Sequence, residues 1–69
     1  MSYYDYRVSA DIAMHDYPFY GLIMAAMRQA DTANLAKLCA VFPEVWVELD
    51  ERYHAPGGIL PTDRMGVPE

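Results

Sequence analysis

The sequence has one cysteine, Cys39, one lysine, Lys37, and two serines, Ser2 and Ser9. Each scarcity removes a class of protein. A single cysteine excludes an intrachain disulfide. With only His15 and His54 beside it, the chain has no set of zinc ligands at the usual spacing. One lysine in a chain of net charge −5 is poorly suited to neutralising phosphates, so nucleic acid is not an expected partner. Neither serine lies in a nucleophile elbow, and Gly57-Gly58 follows a helix signal with no lysine nearby, so no phosphate loop is expected. No apolar run reaches the roughly 18–20 residues needed to span a membrane, and the first residues, Met1-Ser2-Tyr3-Tyr4-Asp5-Tyr6, lack the basic and apolar regions of a signal peptide. A free thiol fits a reducing compartment, and the expected location is the cytoplasm.

The chain does have apolar and aromatic residues in quantity: 54% of its 69 residues are hydrophobic and 13% aromatic. That is too apolar for an intrinsically disordered chain and fits a single domain. Chains of about 60–70 residues bury only about 60% of the surface they expose when unfolded, so a lone core is marginal without disulfide, metal or association. With the first two unavailable, a homo-oligomer is expected.

Breaks divide the chain into segments. Residues 1–8 show a period-2 tyrosine pattern, Tyr4, Tyr6 and Val8, which favours an extended N-terminal arm. Ser9 reads as a helix cap with Asp11 in the first turn, giving a short helical turn over 10–15. Asp16-Tyr17-Pro18 opens a helix whose Phe19, Tyr20, Leu22, Ile23, Met24, Ala26 and Met27 are apolar around most of the circumference. The expected oligomer interface is Phe19, Tyr20, Ile23, Met24 and Met27, with Gly21 and Ala25 four residues apart permitting close helix approach. Asp31 caps the next helix, in which Leu35, Leu38, Cys39 and Phe42 form one stripe. Pro43 opens a further helix with Trp46, Leu49 and Tyr53 on one side and Glu48 and Arg52 as an i, i+4 pair on the other. Ala55-Pro56-Gly57-Gly58 stops it. Residues 59–69 read as an extended tail. The fold class is therefore all-α: a domain over 1–58, built as a compact bundle of three short helices, or four counting the turn at 10–15, between two extended arms.

Candidate chemistry is sparse. Asp11 and His15 lie four apart on a helical turn but lack further ligands, so no metal and no cofactor is expected. His54 sits where a helix C-terminus favours an imidazolium. Cys39 falls on an apolar stripe away from positive charge, where a thiol is inert. Catalytic residues are therefore not expected, and the chain is read as a non-enzyme. The unusual inventory is six tyrosines. Tyr3, Tyr4 and Tyr6, with Arg7, either cover the core, meet a protein partner, or stack on a nucleotide whose phosphate an arginine would hold. The acidic stretch 43–58 carries net −3, and Glu44, Glu48 and Glu51 are the expected polar contacts to a basic partner surface, if not a solvated face.

The runs Asp16-Tyr17-Pro18-Phe19-Tyr20-Gly21-Leu22-Ile23-Met24-Ala25-Ala26-Met27-Arg28-Gln29-Ala30-Asp31-Thr32 and Phe42-Pro43-Glu44-Val45-Trp46, continuing to Arg52-Tyr53-His54-Ala55-Pro56-Gly57-Gly58, carry a resemblance. Across about 16–58 the chain resembles small uncharacterised proteins carried by bacteriophages and prophages, especially of high-GC bacteria. The resemblance implies a setting in which short proteins bind a host factor or a defence component. Two other expectations stand beside that one: an oligomer that sequesters a cyclic-nucleotide signal at a subunit interface, and a virion or scaffold component.

Overall fold

In a computed structural model, which describes residues 1–64, the chain is all-α. Its elements are α1 (Tyr3–Ala13), α2 (Phe19–Gln29), α3 (Thr32–Val41) and α4 (Pro43–Tyr53), followed by short 3₁₀ turns at Pro56–Gly58 and Pro61–Arg64. The breaks expected from the sequence are where the helices end. Asp31 accepts the Asn34 N–H at 2.8 Å to open α3. Pro43 occupies the first turn of α4, where its missing N–H leaves nothing unsatisfied. Gly57 and Gly58 exit α4 with φ of 64° and 71°, a left-handed region in which a side chain is strained.

Helices α2, α3 and α4 pack on one another, with α4 central to the group. Met27, Val45 and Leu49 are its buried side chains, 3%, 6% and 6% exposed, ringed by half-buried Ile23, Met24, Leu35, Leu38, Phe42 and Trp46. Two residues, Ala30 and Asp31, separate α2 from α3, and Phe42 alone separates α3 from α4.

The N-terminal segment departs from expectation. Residues 1–8 are not an extended arm, and no separate turn occupies 10–15; one helix runs from Tyr3 to Ala13. Ser2, not Ser9, is its cap: the Ser2 Oγ accepts the Asp5 N–H at 3.2 Å, and Asp5 brings a carboxylate to the first turn. Ser9 instead lies inside the helix and donates to the Tyr6 carbonyl at 2.6 Å. Local capping thus outweighs the strand preference of tyrosine, and the period-2 pattern is incidental. After Met14 the chain reverses through Asp16, whose φ is 52°.

The segment after α4 also departs from an extended tail. Within 59–64 it turns back on α4, and Asp63 receives two guanidinium N–H bonds from Arg52, at 2.7 and 3.1 Å. The rest of the expected tail lies outside the described residues.

Helix α1 stands clear of this group. Among the described residues its backbone packs against no other element. The Cα radius of gyration is 14.5 Å with extents of 45 × 28 × 20 Å, against about 11 Å for a compact chain of this length. No helix among the described residues is long and apolar enough to cross a membrane.

Candidate interaction surface

The residues expected at an oligomer interface divide into two groups. Met27 is sealed in the chain's own core and Ile23 and Met24 are half-buried against it, so Met27 is unavailable to a second copy. These three lie on the α2 face that meets α4; Phe19 and Tyr20 fall on the same face by helical period but in the first turn of α2. Phe19 and Tyr20 remain open, 57% and 56% exposed. They stack edge-on at 5.2 Å, and Phe19 also meets Phe42 edge-on at 6.1 Å. The opposite side of α2 is apolar too. Gly21, Leu22 and Ala25 border a hollow of about 310 Å³ with Pro18, Tyr17 and Ile12, the last of these from α1. The side chain of Ile12 is thus where α1 comes up beside α2.

The tyrosines do not cover the core. Tyr3, Tyr4 and Tyr6 lie on α1 and are about three-quarters exposed, 72%, 74% and 68%. The rings of Tyr3 and Tyr6, one helical turn apart, lie stacked at 6.3 Å and 26°. Arg7 is exposed on the same helix and has no ion pair among the described residues.

Glu44, Glu48 and Glu51 fall at i, i+4 and i+7, one exposed stripe of α4. Glu44 and Glu48 border a hollow of about 300 Å³ with Tyr20, Met24 and Val45. Glu48 pairs with Arg52 at 3.3 Å, as expected, but the stronger partner of Arg52 lies beyond the helix. Its Nη1 donates to Asp63 at 2.7 Å and to the Gly58 carbonyl at 2.8 Å. Asp63 also accepts the Leu60 N–H at 2.9 Å. The Arg52 bonds, then the Leu60 N–H, hold the Asp63 carboxyl down to about 2, and the paired carboxylates raise Arg52 above its ordinary value.

One feature went unread in the sequence. Met27, Leu35, Leu49, Trp46 and Tyr53 line a hollow of about 430 Å³ together with Arg28, Asp50 and His54. The Trp46–Leu49–Tyr53 spacing marks a buried stripe, yet Tyr53 is 71% exposed. His54 caps α4, its Nδ1–H directed at the Asp50 carbonyl 2.8 Å away.

The remaining candidates are scattered. His15 lies past the end of α1 and stacks on Tyr17 at 5.4 Å, with no ion pair to Asp11. Cys39 is half-buried in α3. Among the described residues no three His, Cys, Asp or Glu side chains are grouped to hold a metal ion. No protein-family model, curated protein or solved structure matches the chain.

Proposed function

We propose that this chain is a non-enzymatic binding protein that works as a homo-oligomer. Copies associate through the aromatic surface of α1 and the open side of α2, and the assembly engages a partner protein. The observation that carries this reading is the exposed helix α1, which bears three tyrosines and whose backbone packs against no other element among the described residues. The chain exposes 5995 Å², whereas a compact protein of 7.8 kDa exposes about 4400 Å². Isolated helices shorter than about 12–15 residues are marginal in water, so α1 gains by packing on another surface.

The stripe Glu44, Glu48 and Glu51 supplies the second contact, towards a basic protein surface. In the setting that the resemblance to phage and prophage proteins implies, the partner is a host or defence protein, and the reading is that of a counter-defence factor in the cytoplasm. Sedimentation equilibrium between about 5 and 500 µM tests the association. A mass of two or more chains supports it, and a single 7.8 kDa species across the range defeats it. Capture from host lysate, with a Glu44→Gln/Glu48→Gln/Glu51→Gln variant as control, tests the acidic face: a specific partner is kept by the native chain and lost by the variant.

The Trp46 hollow favours a second reading, sequestration of a small nucleotide. Its volume of about 430 Å³ is within the range of ligand sites. Trp46 and Tyr53 offer stacking surfaces, and Arg28, without an ion pair among the described residues, offers a guanidinium for phosphate. Titration with a panel of cyclic nucleotides, followed by Trp46 fluorescence, decides it: saturable quenching supports this reading and a flat response removes it.

A further inference from the structure

We propose that two copies pair through α1 as an antiparallel, two-fold helix pair in which the tyrosines of one copy seat against the alanines of the other. This inference rests on the self-association reading and assigns it a surface, a direction and a register.

At 100° per residue the apolar side chains of α1 form two opposed stripes. Tyr4, Val8 and Ile12 make one, at i, i+4 and i+8; Tyr3, Tyr6, Ala10 and Ala13 make the other, at i, i+3, i+7 and i+10. Val8 is the one half-buried residue of the helix and Ile12 borders α2, so the first stripe is turned towards the body. The second is therefore turned away from it, and all four of its residues are exposed. Asp5, Arg7, Ser9 and Asp11 fall outside that stripe.

The order of sizes on the outer stripe gives the direction. Its two large side chains are N-terminal and its two small ones C-terminal. An antiparallel pair centred on Val8 places Tyr6 opposite Ala10 and Tyr3 opposite Ala13, in both directions at once. That is the condition for a self-complementary two-fold interface. A parallel pair would set tyrosine against tyrosine and alanine against alanine, leaving a collision at one end and a void at the other. Stacking of Tyr3 on Tyr6, at 6.3 Å, already orders the projecting ridge, which lowers the entropy lost on pairing. Eleven residues of helix span only about 16 Å, so the pair buries less than a standard interface. A dissociation constant in the micromolar range is expected.

The test is a swap of large and small, with sedimentation equilibrium on the full chain as readout. Tyr6→Ala alone leaves a void and Ala10→Tyr alone creates a collision; each is expected to weaken the dimer at least tenfold. The double variant Tyr6→Ala/Ala10→Tyr restores one large residue opposite one small one and is expected to return to within about threefold of the native constant. Because Tyr6 and Ala10 are exposed and lie on the stripe turned away from the helical body, all four proteins should unfold at the same urea midpoint by Trp46 fluorescence, measured below the dissociation constant. A native chain that is dimeric but indifferent to the single changes, or a double variant no better than the worse single, overturns the pairing while leaving self-association intact. A native chain that stays monomeric overturns both.

Discussion

Leu49→Ala measures how much of the fold rests on three side chains. Leu49 is 6% exposed and meets Met27 and Val45 at the centre of the α2–α3–α4 packing. The change deletes three carbons beyond Cβ, and at about 0.8 kcal/mol per buried methylene the transfer loss is roughly 2.4 kcal/mol. A cavity adds to this, but Leu49 also borders the Trp46 hollow, where neighbours and water can move in. The expected loss is therefore about 2.5–3 kcal/mol, in the lower part of the usual 2–5 kcal/mol range. A domain of this length has roughly 3.5–10 kcal/mol in all, so the variant loses a quarter or more of its stability. With a urea slope near 1 kcal/mol/M, the midpoint falls by roughly 2.5–3 M. Trp46, the single tryptophan, borders the same hollow as Leu49 and reports the transition directly. Val47→Ala, at an exposed site on the same helix, is the control and should change stability by less than about 0.5 kcal/mol. If Leu49→Ala costs under 1 kcal/mol, or no more than Val47→Ala, the core is not where it is described.

Three further outcomes follow from local chemistry. Asp31→Ala removes the acceptor of the Asn34 N–H and should destabilise the body by about 1 kcal/mol in the same urea assay. Gly58→Ala forces a side chain to a φ of 71° with no contact closer than 3.9 Å to compensate, and should cost about 1–2 kcal/mol, read as a lower thermal midpoint. The Asp63 carboxyl is held at about 2, below its unfolded value of 3.8, so its pairing with Arg52 contributes fully above that unfolded value and is lost as pH falls through about 2. A carboxyl NMR titration should give Asp63 a midpoint near 2, shifted upward in Arg52→Gln, while Asp63→Asn should speed amide exchange at Leu60.

Much of the body was legible because its punctuation is local. Asp31, Pro43 and the Pro56-Gly57-Gly58 stop act within a turn of their own positions, and the helices begin and end at them. The first helix was misread because two local signals compete there. Tyr4, Tyr6 and Val8 alternate like a strand, but Ser2 and Asp5 stand three apart as cap and first-turn acid, and the cap satisfies a backbone donor that alternation cannot. The role of Met27 was not decidable from α2 alone. An apolar ring has no preferred side until α4 supplies one; Met27 is then buried, while Phe19 and Tyr20, earlier on the same face, stay exposed. The Arg52–Asp63 bond joins residues eleven positions apart across a turn, beyond the reach of any helical spacing rule. The Trp46 hollow is lined by α2, α3 and α4 together, which no single-helix stripe pattern records.

The connectors of one and two residues between α2, α3 and α4 have a kinetic meaning. Each helix meets a neighbour that leaves the ribosome within seconds of it, so little chain entropy must be lost before native contacts form. Bundles wired this locally refold in microseconds to milliseconds. The body can therefore form without waiting on α1, whose backbone packs against none of its elements among the described residues.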